Sequence, residues 1–296
     1  MPDPLLILVA LVAATFFAAL ILRGHVLPRV SGGAGKGVPV VALTGAPDSG
    51  KTTLFSALAF ESRPKTHTSL TTSSAKVTLP TNPEASWVLL DLPGHARMRQ
   101  QTQTALNNPD LRGVVFLVDI AALIRNASVV AEDLIHVLTT LTARSIRNPT
   151  LPTPHLLILA TKSDLLPSAT ASRSTLAHDR LIALLARELD RVKAARAHTT
   201  GRIDTIERIP GSASASSNPF SFITWFFSGS ATPSTTSQAD ESSILERAED
   251  ALWGDAAGGN GFRFENIEGV EVEFGVASAV KGQEGLTEVR DWLEGL

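Results

Sequence analysis

Eight residues, Gly45-Ala46-Pro47-Asp48-Ser49-Gly50-Lys51-Thr52, carry a G-x-x-x-x-G-K-[ST] spacing. Glycines at those two places allow torsions and close approaches that a Cβ would block. The amides of such a loop, continued by a helix N-terminus, can surround a phosphate. A lysine after the second glycine reaches β- and γ-phosphate oxygens, and the hydroxyl after it is placed to ligate Mg2+. Gly45, Pro47, Asp48, Ser49, Gly50, Lys51, Thr52 and Thr53 are the candidate phosphate-binding residues, with Thr52 also a candidate metal ligand. The competing reading is a glycine-rich turn with no ligand, and the surrounding elements decide between the two.

Two further clusters belong to the same chemistry. Asp91-Leu92-Pro93-Gly94-His95 begins 40 residues after Lys51. There Asp91 can hold a metal-bound water and Gly94 can offer its amide to a γ-phosphate. The D-x-x-G pattern alone is common; its position after a strand gives it weight. Thr161-Lys162-Ser163-Asp164 supplies a carboxylate, Asp164, able to accept from a purine that donates two hydrogen bonds. Guanine does so and adenine does not, and a buried carboxylate left unpaired would supply the discrimination.

Each cluster needs a rigid support, and short apolar runs provide it. Val38–Thr44 reads as a buried strand leading into the loop, and Leu54, Phe55, Ala57 and Leu58 continue as a helix. Trp87–Leu90 precedes Asp91, and Gly113–Asp119 is a third strand followed by a helical stretch from about Val129 to Arg147. His155–Ala160 ends in the T-K-S-D cluster, Val270–Val276 alternates as a strand, and a last helix spans about Leu286–Leu293. Strand, glycine loop and helix in that order is the context that makes the phosphate reading mechanistic.

Motifs in this order, each at the end of an apolar strand, resemble the P-loop GTPases of the Ras/Arf type. The D-L-P-G-H form, an amino-terminal apolar segment, the helix HDRLIALLARELDRVKAARA and the late F-R-F-E…V-E-V-E-F segment are similar to the beta-subunit family of the signal recognition particle receptor. The resemblance covers about residues 38–200 and 260–296. It implies an α/β fold: a mostly parallel six-stranded sheet with helices on both faces, behind one N-terminal transmembrane helix. It implies GTP and Mg2+ as ligands, Lys162 lying along the base, Asp164 reading guanine, and backbone amides around Ser278 and Ala279 meeting the guanine oxygen. It places a switch hydroxyl in Thr66–Thr71; Thr68 is the choice by distance from Lys51, with Ser69 and Thr71 as alternatives. Two residues depart from the family pattern. Thr161 stands where Asn is usual, which weakens the expected bracing between loops, and Val280 interrupts the usual Ala-Lys.

His95 occupies the place where Ras-like GTPases carry the glutamine that orients the attacking water. Imidazole differs from a carboxamide in shape and donor geometry, so His95 as a catalytic residue implies slow hydrolysis and a nucleotide acting as a latch. The alternative is a solvent-facing switch residue.

The rest of the chain is uneven. It has 296 residues, 44% hydrophobic and 19% charged, with a net charge of −3 and no cysteine. That excludes disulfides, thiolate metal sites and a cysteine nucleophile, and gives no field for sequence-tolerant nucleic-acid binding. Leu5–Leu22 contains no charge, Gly or Pro and as a helix would span about 27 Å, enough for a thin bilayer. A cleaved signal peptide is disfavoured, because no Lys or Arg precedes the run. Arg23, Arg29 and Lys36 follow it, so the positive-inside bias places residues 1–4 in the lumen and the remainder in the cytoplasm. Residues 23–37 then read as a flexible tether, and 38–296 as one GTPase domain with a disordered insertion at about 201–258. Within it, Ile209–Ala239 is uncharged and holds the aromatic run Phe220–Phe227. That run reads as a hydrophobic staple, an interfacial membrane contact or a partner contact.

The expected function is a membrane-anchored GTP-dependent switch at the endoplasmic reticulum membrane, serving co-translational protein targeting. The resemblance implies the receptor's alpha subunit as a GTP-dependent partner, and admits the ribosome or translocon as further ones. The alternatives are an Arf-like trafficking GTPase, disfavoured because Pro2 is not the glycine that myristoylation requires, and a nucleotide-locked scaffold that never cycles.

Overall fold

A computed structural model describes residues 37–78, 86–166, 172–206, 237–253, 262–278 and 286–296. The expected span at 5–22, the tether, the aromatic run at 220–227, Ala279 and Val280 lie outside them. Among the described residues no helix is long and apolar enough to cross a membrane. Residues 38–296 form one compact unit.

Six strands make one sheet: β1 (Val40–Gly45), β2 (Ser73–Thr78), β3 (Ser86–Asp91), β4 (Leu111–Asp119), β5 (His155–Thr161) and β6 (Glu271–Val276), in the order β2-β3-β1-β4-β5-β6. All pairings are parallel except β2 with β3. Both faces are covered, which is why the inner strands read as near-continuous apolar runs rather than alternating ones. In β1, Val40 and Ala42 enter the core on one face and Val41 and Leu43 enter the core on the other.

The first core is closed by α2 (Arg99–Leu106), α3 (Leu123–Arg147), α4 (Arg173–Ile206) and α5 (Ser237–Trp253). The second is closed by α1 (Lys51–Ala59) and α6 (Thr287–Gly295). The register Leu43↔Asp91, Gly45↔Leu117 and Asp119↔Thr161 brings four strand ends to one edge of the sheet. The strand order reverses about β1 there, which is where open α/β sheets bind ligands.

Three expectations need correction. Within 201–258, read above as a disordered insertion, residues 201–206 continue α4 and residues 237–253 form α5. Leu252 and Trp253 set α5 into the first core, and Ala248, one turn before Leu252, is fully buried. Arg196 of α4 clamps it, pairing with Glu249 at 3.4 Å and lying 4.8 Å over the Trp253 ring. Helix α3 begins at Leu123 rather than near Val129, with non-helical torsions at Asn126. Strand β2 has no counterpart among the expected elements, because it is a polar edge strand in which only Val77 is buried.

Candidate nucleotide site

The loop after β1 has the geometry its sequence requires. At Gly45, φ is +132°, and an added Cβ would lie 2.3 Å from the Leu117 carbonyl oxygen. Only glycine fits that approach. At Gly50, φ is +91° and an added Cβ would meet nothing within 4 Å, so its torsion demands glycine while its surroundings stay open. Asp48 also takes a positive φ, of 60°. Gly50 caps α1 without a side-chain bond and no acidic residue lies in the first turn, so the helix amides remain available to an anion.

Lys51 is buried, and its ammonium donates to the carbonyls of Gly45 at 2.9 Å and Ala46 at 2.7 Å. Burial lowers its pKa to about 8, outweighing the opposing pull of Asp91, Asp133 and Asp48. A desolvated ammonium held by carbonyl dipoles gains from a phosphate dianion what it lost on leaving water.

Three oxygen donors meet beside it. The Thr52 hydroxyl donates to Asp91 Oδ2 at 2.7 Å, and the Ser69 hydroxyl lies 2.9 Å from Thr52 Oγ1 and 3.4 Å from the same carboxylate. Of the hydroxyls in Thr66–Thr71, that of Ser69 lies beside Thr52 and Asp91; spacing alone does not tell which of neighbouring hydroxyls turns inward. Asp91 is 1% exposed, its Oδ1 has no hydrogen-bond partner, and desolvation raises its pKa. A hard cation and its water shell fit this set: two hydroxyls, a carboxylate with a spare oxygen, and no soft ligand. No cluster of three His, Cys, Asp or Glu side chains exists among the described residues, so a divalent ion here would depend on phosphate and water oxygens as well. Thr53 is turned to the switch side, its hydroxyl 3.3 Å from that of Thr66.

The second half of the site hangs on β4 and β5. The Thr161 hydroxyl, buried, lies 2.7 Å from the Ser49 carbonyl and 3.1 Å from the Val118 carbonyl, so threonine at this place ties its loop to the phosphate loop. Lys162 adopts left-handed torsions (φ 57°) and its ammonium reaches Asp119 Oδ2 at 2.7 Å. Asp119 Oδ1 in turn accepts the amides of Ala121 and Ala122. Asp164 Oδ1 accepts from the Ser278 hydroxyl at 3.1 Å, so the base-side residues come together from segments 114 positions apart.

Pro47 and Gly94 face each other across the loop: a Cβ on Gly94 would lie 2.5 Å from Lys51 Nζ and 3.0 Å from the Pro47 nitrogen. His95 is exposed and caps a single 3-10 turn, Ala96–Met98, its Nδ1 accepting the Arg97 amide at 3.2 Å. Asp119, Arg99 and Asp133 were not singled out from sequence. A carboxylate ending an apolar strand was the available signal for Asp119; the other two carry none.

A glycine loop on β1, a buried aspartate ending β3 and a lysine–aspartate pair after β5 define a P-loop GTPase of the Ras/Arf type. The family described as "Signal recognition particle receptor beta subunit" matches residues 36–270, and the chain belongs to that family. The mouse signal recognition particle receptor subunit beta is 31% identical over 220 residues, covering 74% of this chain and 75% of the mouse protein. Among solved structures, that of the mammalian SRP receptor aligns over 86% of this chain and 98% of its own, with 26% identity and a TM-score of 0.52. A *Chaetomium thermophilum* structure described as an SRb-GTP/SRX complex aligns over 87% and 98%, with 21% identity and a TM-score of 0.50.

Proposed function

We propose that this chain is the GTP-binding, membrane-anchored subunit of a signal recognition particle receptor, holding the alpha subunit at the endoplasmic reticulum membrane for co-translational targeting. The convergence of Lys51, Thr52, Ser69 and Asp91 on one side and Lys162, Asp164 and Ser278 on the other carries the nucleotide reading. In it, Lys51 and the amides of Gly45–Thr53 bind the phosphates, and Asp164 accepts the two guanine donors. Thr52 and Ser69 would hold Mg2+ directly and Asp91 through water. The ion, when bound, would neutralise charge between the terminal phosphates. Gly94 would offer its amide to the γ-phosphate, so that the switch residues 65–75 and 95–101 order with the triphosphate and relax without it.

His95 supports a slow turnover. Its Nδ1 is committed to a backbone amide and its ring lies in solvent, leaving Nε2 as the remaining group for a water. The membrane reading rests on the apolar run at 5–22 with its basic flank, and the partner reading on the SRX named with the *Chaetomium thermophilum* relative. Residues 37–296, loaded with a GTP analogue or with GDP, should capture the receptor alpha subunit only in the first state. Equal capture in both would favour a non-cycling scaffold, and no capture would overturn the partner. Digestion of an amino-terminal tag by protease added outside sealed vesicles would overturn the lumenal placement of residue 1.

A further inference from the structure

The peptide at Gly94 passes so close over the phosphate loop that a Cβ would fall 2.7 Å from the Gly45 carbonyl. Where its amide points depends on what holds the segment that follows. Upstream, Leu92 is fixed by the hydrogen bond its amide donates to the Leu43 carbonyl. Downstream, the bonds from Met98 to His95 and from Arg97 to His95 are internal to the segment. Helix α2 enters the core only further along, through Thr102 and Leu106.

Two side chains of α2 reach beyond it: Gln101 Oε1 accepts from the Thr72 hydroxyl at 3.4 Å, and Arg99, the first residue of the helix, makes the shorter link. Its Nη2 donates to Asp133 Oδ1 on α3 at 2.8 Å. Helix α3 is a firm base, with Ala131, Leu134 and Leu138 all fully buried around that position. The pair also stands at the site itself: Arg99 and Asp133 line a cavity of about 20 Å³ together with Gly45, Gly94 and His136. His136 is held neutral, its pKa lowered to about 4 by burial and by the Arg99 charge, so it does not compete as a cation for Asp133.

We propose that Arg99 and Asp133 form a latch that positions the Gly94 amide for a γ-phosphate and so sets this chain's preference for tri- over diphosphate. This rests on the nucleotide reading above. A half-exposed ion pair contributes little to overall stability, but a link across the one hinge next to the γ-phosphate acts on the bound state that uses that hinge. Diphosphate binding uses Lys51, the loop amides and the base-side residues; the Asp133 charge acts on Lys51, so the Arg99 variants, which leave that charge in place, separate the two nucleotides.

The test is equilibrium binding of fluorescent GDP and of a fluorescent non-hydrolysable GTP analogue to the full chain in detergent. The variants are Arg99→Ala, Asp133→Asn, their double and Arg99→Lys. Arg99→Ala should weaken the GTP analogue about three- to fivefold and leave GDP within about twofold, the upper part of what partly exposed ion pairs contribute, and Asp133→Asn should weaken the GTP analogue more than GDP. The double should be no weaker than either single, and Arg99→Lys should keep most of the preference. Equal losses for both nucleotides, an unchanged ratio, additive effects in the double or a gain for the GTP analogue would each overturn the latch. Failure of the unsubstituted chain to bind either nucleotide would overturn the nucleotide reading and the latch with it, a result distinct from the others.

Discussion

The Thr161 hydroxyl sits 2.7 Å from the Ser49 carbonyl oxygen, joining two loops 112 residues apart. Both atoms are buried, so the hydroxyl has no water to fall back on. Replacing it with valine keeps the shape and strands the Ser49 carbonyl, at a cost of about 1–3 kcal/mol. Thr161→Val is expected to weaken GDP and GTP alike by about tenfold, while Thr161→Ser retains most of the affinity. Nucleotide dissociation constants for the two variants check this, and a valine variant of unchanged affinity would mean the brace is idle.

Gly45 and Gly50 share a motif but differ in what a methyl group would meet. At Gly45 it would strike the Leu117 carbonyl of β4, inside the sheet; at Gly50 it would point into open space with only the torsion strained. Gly45→Ala should therefore destabilise the nucleotide-free protein by about 3 kcal/mol or more, lowering its Tm by at least several degrees. Gly50→Ala should cost about 1–2 kcal/mol of strain and lose nucleotide affinity out of proportion to stability. Thermal unfolding and nucleotide binding measured on both variants separate the two effects.

The parts of this site that were legible in the sequence are those whose residue type is forced. A positive φ against a carbonyl admits only glycine, and a strand buried on both faces admits only apolar residues, so β1, β3, β4 and β5 and their terminal motifs stand out. Strand β2 does not, because an edge strand with only Val77 buried carries the pattern of a loop. Helix α5 was hidden by the uncharged run beside it, although Ala248 and Leu252 keep a helical spacing. Ser69 could not be told from Thr68 by counting, since the chain between them and Lys51 includes a coil of no fixed rise. Arg99 and Asp133 meet across 34 residues, and only the packing of α2 on α3 reveals the pair.

Asp164 is half-buried and shares its Oδ1 with the Ser278 hydroxyl. The carboxylate is thus oriented from outside the T-K-S-D cluster. Asn in its place presents a donor where an acceptor is needed. Asp164→Asn should weaken GTP by about a hundredfold or more while improving xanthosine triphosphate, whose ring carbonyl matches the new donor. Competition between the two nucleotides measures the switch, and a variant that still favours guanine would remove Asp164 from the base.

Lys51 makes nucleotide binding a proton-linked event. Its pKa lies at about 8 instead of 10.5, because burial disfavours the ammonium. The folded chain therefore binds fewer protons than the unfolded chain between those values, and the cost of burying the charge is present in full below pH 8. Its contribution to stability rises with pH from about 8 to 10.5. Phosphate oxygens reverse the balance by favouring the charged form. Nucleotide binding at pH 8 should take up part of a proton, and affinity should fall as pH rises beyond that point. Calorimetry in buffers of different ionisation enthalpy reads the proton directly. Binding that releases protons at pH 8, or none exchanged, would show that Lys51 is already fully charged before the nucleotide arrives.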